Sequence, residues 1–290
     1  MVTSLRQLKT FIAIAETGTF SAAGGVVGLS HSAVSLHVKA LEDELGVQLI
    51  DRSRRPPILT ERGLALLDCA RRMVDLLDEM AALGSEAGLI GSISAGVVPS
   101  AMYEFMPPAL ASLRAMHPKL KVRIHTALSG ELAALVRGGE LDVAVSTAPL
   151  RPLDGIEDRT IVSEPLFVIA PENETVRTVE DLLTTLPFVW FSRKTWAGQQ
   201  IEYLLLQEGI VVRDDIEADS LMAVKSLVSH GLGVSIVPMN PQAQLGSNGI
   251  QMIPFGEPQH TRKLALLERL KNPKRHLTDA LFASLADSSR

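Results

Sequence analysis

The stretch Ser30-His31-Ser32-Ala33-Val34-Ser35-Leu36-His37-Val38-Lys39-Ala40-Leu41-Glu42-Asp43-Glu44-Leu45-Gly46 decides how this chain reads. Val34, Val38, Leu41 and Leu45 recur at helical spacing and form one apolar face. Ser30 is a good N-cap type, and Gly46 suits a left-handed stop. His31, Ser32, Ser35, Leu36 and Lys39 fall on a different face of the same predicted helix.

Upstream, Leu5, Leu8, Phe11, Ile12 and Ala15 predict a first helix ending at Gly18. Ser21 is the expected cap of a second helix containing Gly24, Gly25 and Gly28. Each interior glycine costs about 0.8–1.0 kcal/mol against alanine, so this helix needs docked neighbours. Downstream, Leu49-Ile50 and Ile58-Leu59 flank Arg52-Ser53-Arg54-Arg55-Pro56-Pro57, a pattern for two short strands around a basic turn. Residues 1–60 therefore have the layout of a winged helix-turn-helix. In such a unit a reader helix enters the major groove and a hairpin meets the backbone. His31, Ser32, Ser35 and Lys39 offer hydrogen bonds to base edges and phosphates, and Leu36 an apolar contact. Arg52, Arg54 and Arg55 are the densest basic cluster and suit phosphate or minor-groove contact.

The chain has 290 residues, with 46% hydrophobic and 21% charged residues, which excludes wholesale disorder and predicts about two domains. Cys69 is the only cysteine, so no internal disulfide or cysteine-rich zinc module is available. The net charge of −5 alone argues against nucleic-acid binding. Its distribution argues otherwise. Residues 1–62 hold seven basic and six acidic groups, so the excess negative charge lies in the remainder. Four of those seven cations fall on the reader helix or the hairpin tip. No export signal and no membrane span is legible, and the expected compartment is cytoplasmic.

Residues 61–90 read as a linker, with a long helix over 61–88 capped by Thr60 and a hinge at Gly84, Gly88 and Gly91. One apolar stripe runs through Leu67, Ala70, Val74, Leu77 and Ala81. A second runs through Leu66, Cys69, Met73, Leu76, Met80 and Leu83. Two stripes fit either a helix packed on its own domain or one that also pairs with a second copy. Cys69 within a stripe is expected to be buried.

Residues 91–290 alternate strand-like and helical runs, which predicts an α/β fold with a mostly parallel sheet. Their length fits two lobes, the first about 91–162 with 263–290, the second about 163–262. The chain is expected to cross near 162–165 and return near 261–264.

Leu5-Arg6-Gln7-Leu8, Gly18-Thr19-Phe20-Ser21-Ala22-Ala23, Ser30 through Ser35, Glu44-Leu45-Gly46 and Thr60-Glu61-Arg62-Gly63 together resemble the LysR-type transcriptional regulators. The likeness continues through Pro107-Pro108, Gly139-Glu140-Leu141-Asp142, and Gly231-Leu232-Gly233 with Pro238. It implies promoter DNA as a partner, dimerisation through the long helix, and commonly a dimer of dimers. It also implies a two-lobed effector domain resembling a periplasmic binding protein, in which a small molecule alters transcription. RNA polymerase is a further partner in this reading. His31, Ser32 and Leu36 stand where family members often carry Gln, Pro and Arg.

The resemblance puts the effector between the lobes. Ligands of open α/β sheets also bind beyond strand ends, and helix N-termini favour anions. Ser100, Ser129, Thr147 and Ser220 stand at such junctions and suit a small carboxylate. Phe191 and Trp196 are candidate cleft walls, Trp190 a core residue, and Arg193 or Arg151 a candidate partner for a carboxylate. No catalytic residue, metal site or cofactor is expected. Gly231-x-Gly233 lies after a helix and before a strand, the reverse of a dinucleotide site. The competing reading is a cytoplasmic two-lobed solute-binding protein or enzyme with a helical extension that binds no DNA.

Overall fold

Three helices, a small hairpin and a long helix make up the first unit of the computed structural model, Met1–Gly91. The structure describes residues 4–54, 56–82, 89–175, 178–239 and 249–289. Arg55, Leu83, Gly84 and Gly88 lie outside them.

Helix α1 (Leu5–Thr17) opens with a capping box. The Gln7 backbone N–H donates to Ser4 Oγ at 3.2 Å, and Ser4 N–H donates to Gln7 Oε1 at 2.8 Å. Gly18, at φ +74°, ends it. Helix α2 (Phe20–Val27) is capped by Thr19, whose Oγ1 accepts from Ala22 N–H at 3.2 Å. The expectation that Ser21 is the cap is thus corrected: Ser21 lies inside the first turn. Starting at Phe20 places that ring in the core. A Cβ at Gly24 would stand 2.5 Å from the Leu29 carbonyl oxygen, so the helix admits no side chain there. Helix α3 (His31–Leu45) is capped by Ser30 and buries Val34, Val38 and Leu41 against Leu8, Phe11 and Ile14.

Strands β1 (Ile50–Asp51) and β2 (Ile58–Leu59) pair antiparallel. Thr60 then caps α4 (Glu61–Ala82), its Oγ1 accepting from Gly63 N–H at 3.0 Å. Leu67 and Ala70 join the core, whereas Met73, Leu76, Leu77 and Met80 are exposed. Cys69 is also exposed, which corrects the expected burial. The core of this unit takes Leu67 and Ala70 from one apolar stripe of α4 and part of Leu66 from the other, while Leu77 on the first and Cys69, Met73, Leu76 and Met80 on the second are exposed.

The second unit, Ser92–Arg290, is mixed α/β. In chain order it comprises β3 (Gly91–Val97), α5 (Pro99–Glu104), α6 (Met106–Met116), β4 (Leu120–Thr126), α7 (Ser129–Gly138) and β5 (Val143–Thr147). There follow β6 (Ile156–Pro171), α8 (Val179–Thr185), β7 (Pro187–Phe191), α9 (Trp196–Gln207), β8 (Arg213–Ala218) and α10 (Leu221–Ser229). The last elements are β9 (Ser235–Pro238), β10 (Ile250–Pro254), β11 (Thr261–Arg269) and α11 (Arg275–Ser288).

The main sheet runs β10-β6-β11-β5-β3-β4, with β9 also paired to β6. It is not mostly parallel, contrary to expectation. The pairs β3–β5 and β7–β8 are parallel, but β11 runs antiparallel to β5 and β6, and β6 antiparallel to β9 and β10. Helical crossovers explain the parallel pairs. The antiparallel ones arise because β6 and β11 carry the chain from one lobe to the other and back. Their ladder shifts register between Leu264 and Ala265, at the crossing. One lobe is cored by Leu166, Phe188, Trp190 and Ile236 on one face of its strands, and by Phe167, Ile169, Val189 and Val237 on the other. Strands β8 and β10 and the first half of β6 were not legible from sequence. Arg213-Asp214-Asp215-Ile216-Glu217-Ala218 carries four charges in six residues and shows no apolar alternation. Among the described residues no helix is long and apolar enough to cross a membrane.

Candidate DNA interface and effector cleft

In the first unit, the Ser30 cap starts α3 so that His31, Ser32, Leu36 and Lys39 are exposed, with Ser35 half-buried among them. Leu36 is 66% exposed, an apolar side chain offered to solvent on a polar face. Ser32 Oγ lies 3.0 Å from Ser30 Oγ. His37 is turned the other way, with Nδ1 2.9 Å from Thr10 Oγ1. His31 and His37 therefore do not converge, and no cluster of metal-ligating side chains occurs among the described residues.

The hairpin arginines are not equivalent. Arg52 Nη2 donates to Glu42 Oε2 at 3.1 Å, and its guanidinium lies 5.5 Å from the centre of the Phe20 ring. The His31 ring tilts against the same phenyl ring at 5.8 Å. Arg54 is looser, 3.8 Å from Asp51 and 69% exposed. Asp51 is occupied by Ser53, whose hydroxyl and backbone N–H hold its carboxyl below the usual range. Arg55 lies outside the described residues. The surface thus combines short hydroxyl donors, an imidazole tilted against a phenyl ring, a lysine and a loosely held arginine.

In the second unit a cavity opens where β3, β5 and β7 end and α5, α7, α9 and α10 begin. Ser100, Ser129, Thr147 and Phe191 line it. Trp196 and Ser220 do not, although their neighbours Thr195, Ala197, Asp219 and Leu221 do. The Ser220 hydroxyl instead accepts from Ala223 N–H as the cap of α10. Glycine at 198 brings the start of α9 against the end of β7. A Cβ there would stand 2.2 Å from the Ser192 carbonyl oxygen.

Arg262 is one of the wall residues that sequence reasoning missed, with Thr195 and Asp219. It lies on β11, is 1% exposed, and is held by Glu164 on β6 through Nε at 2.9 Å and through Nη2. Its Nη1 donates to Ser100 Oγ at 3.1 Å. The only sequence signal was its position at the expected return crossing. Partial burial pushes the Glu104 carboxyl above its usual range, reinforced by the Glu164 charge and opposed by Lys225 and Arg262. Burial likewise pulls the Lys225 ammonium down. Arg193 is committed elsewhere. It pairs with Asp214 at 3.1 Å and Glu217 at 3.3 Å and lies over the Trp190 ring. Trp190 itself is 4% exposed and packs edge-on against Phe188.

Two family models match the chain: "Bacterial regulatory helix-turn-helix protein, lysR family" over residues 5–64, and "LysR substrate binding domain" over residues 86–290. A hydrogen peroxide-inducible genes activator of Dickeya chrysanthemi is 27% identical over 310 residues, covering 99% of this chain and 95% of the relative. A probable hydrogen peroxide-inducible genes activator of Mycobacterium leprae is 30% identical over 251 residues, with 80% and 77% covered. Among solved structures, a C206 mutant of OxyR from Corynebacterium glutamicum superposes with a TM-score of 0.72 at 26% identity, covering 99% and 93%. CbnR, solved in complex with its target DNA, shares the fold with a TM-score of 0.65 at 24% identity and 99% coverage of both chains. With a helix-turn-helix whose reader face is exposed, a two-lobed unit with a cavity at its helix starts, and family matches to both, the chain belongs to the LysR family and is a ligand-responsive, DNA-binding transcriptional regulator.

Proposed function

We propose that this regulator works in the cytoplasm as a homo-oligomer and reads promoter DNA with the exposed face of α3. His31, Ser32, Ser35 and Lys39 supply hydrogen bonds and charge, and Leu36 contacts a thymine methyl. Arg54 and Arg55 contact phosphates, and Arg52 positions the hairpin. The uncovered stripe of α4, through Met73, Leu76 and Met80, is the surface for a second copy. Dimers of dimers and contact with RNA polymerase belong to the same reading. The protein is not an enzyme and uses no cofactor. Residues 1–60, 61–90 and 91–290 serve as DNA reader, linker and effector domain.

The effector is a small molecule held reversibly in the cavity by Ser100, Ser129 and Thr147, with Phe191 as an apolar wall and Trp196 and Ser220 supporting its rim. The observation that carries this is the convergence of four helix-start segments on one cavity. Peroxide chemistry at a cysteine of the effector unit is not available to this chain, because its single cysteine is Cys69 on α4. Gel shifts across the gene's own upstream region test the reading, with Ser35→Ala expected to change sequence preference. Absence of salt-sensitive binding to every fragment favours the solute-binding alternative instead. Cys69→Ser is expected to keep the effector response.

A further inference from the structure

The cavity wall carries more chemistry than a site for a plain carboxylate needs. Ser129 and Thr147 are 3% and 4% exposed and line the cavity, and neither hydroxyl has a hydrogen-bond partner among the described residues. Helix α7, which begins at Ser129, has no side-chain cap on its first N–H groups. Thr195 differs: its Oγ1 donates to the Ser192 carbonyl at 2.7 Å and accepts from Gly198 N–H at 2.9 Å. Ser100 Oγ accepts from Arg262, which leaves its own proton to donate. These uncommitted donors suit an anionic oxygen.

The charges of the wall point to a second group on the ligand. The Arg262 cation is matched by Glu164 within the wall. Asp219 lines the same cavity, is exposed, and has no cationic partner among the described residues. A ligand bearing only negative charge meets that carboxylate unfavourably, whereas an ammonium group on it is attracted. Leu128, Phe191 and Leu221 supply apolar surface between.

Resting on the reading of this cavity as the effector site, we propose that its ligand is a small zwitterion: its carboxylate at Ser129, Thr147 and the start of α7, its ammonium at Asp219, and an apolar frame against Leu128, Phe191 and Leu221. Asp219 is then the residue that sets ligand class, and the hydroxyls of Ser129 and Thr147 secure the anion.

Calorimetry on the full-length protein with matched acids tests this. Valine is compared with 3-methylbutanoate, 4-aminobutyrate with butyrate, and 5-aminovalerate with valerate, so that the nitrogen is present or absent at several distances. At least one amino acid is expected to bind about tenfold more tightly than its nitrogen-free twin. Asp219→Asn is expected to bring that ratio close to one, and Thr147→Val to weaken both members of the pair. Ser129→Ala replaces the second test if Thr147→Val lowers the unfolding temperature. Nitrogen-free acids that bind as well as their twins overturn the zwitterion proposal while leaving the effector site standing. A preference that survives Asp219→Asn overturns the role of Asp219. Failure of every acid to bind, with or without nitrogen, overturns the assignment of the cavity itself.

Discussion

Glu42 holds Arg52 and the backbone of the hairpin at once. One carboxylate oxygen accepts from Arg52 Nη2 at 3.1 Å, and the other from the N–H groups of Leu49 at 2.9 Å and Ile50 at 3.2 Å. The last turns of the reader helix and the start of β1 are thereby fastened through one side chain. Glu42→Ala strands two backbone donors beside the core, and a loss of about 1–3 kcal/mol in unfolding free energy is expected. Urea denaturation measures it, and a change below about 0.5 kcal/mol, the usual scatter of surface substitutions, defeats the fastening role.

The same contact separates the hairpin arginines. Arg54 is free enough to meet a phosphate, so Arg54→Ala is expected to lower the slope of log affinity against log salt by about 0.9. Arg52→Ala is expected to change the slope less and the unfolding free energy more. Equal slopes and equal stabilities for the two variants contradict the distinction.

Gly24 and Gly25 sit side by side in α2 and should respond oppositely. A Cβ at position 24 meets the Leu29 carbonyl oxygen at 2.5 Å, whereas at position 25 nothing lies within 4 Å. Gly24→Ala is expected to destabilise by about 1–3 kcal/mol through overpacking. Gly25→Ala is expected to stabilise by about 0.8–1.0 kcal/mol through helix propensity. Thermal unfolding of both variants decides this, and matching signs refute it.

Glu104 ties stability to pH with a definite sign. Its carboxyl is raised in the folded protein, chiefly by burial and then by Glu164. The folded state therefore holds its proton more tightly than the unfolded chain, and stability falls as pH rises from the usual glutamate range through the folded value. Glu104→Gln is expected to raise the unfolding temperature at pH 7 and to leave it unchanged at pH 3. A stabilisation of equal size at both pH values removes the electrostatic explanation.

The Arg262–Glu164 pair joins β11 to β6 in the interior, both side chains being 2% exposed. Removing one member leaves a buried unpaired charge, so Glu164→Ala is expected to cost about 3–5 kcal/mol. Replacing both with Met is expected to cost much less, since the buried charge goes with its partner. Denaturant unfolding of the single and double variants checks the order; a double variant as unstable as the single one rejects it.

Local pattern was enough for much of this protein. The spacing of Val34, Val38, Leu41 and Leu45, with Ser30 before and Gly46 after, specifies α3 and which of its faces is exposed, because caps and helical periodicity are short-range properties. The same holds for the junction hydroxyls: Ser100 and Ser129 open helices after strands, and Thr147 ends strand β5. Tertiary structure decided the rest. The cap of α2 fell to Thr19 because the core takes Phe20, and Cys69 is exposed because the core of its unit takes only Leu66, Leu67 and Ala70 from the apolar stripes of α4. Asp219 lines the cavity and Ser220 does not, a one-residue difference that follows from Ser220 turning its hydroxyl back onto α10. Arg262 reaches Glu164 and Ser100 across 98 and 162 positions of chain, and no local pattern carries such distances. Periodicity reports which face of an element is buried; which distant side chains meet there is settled when β6 and β11 cross between the lobes.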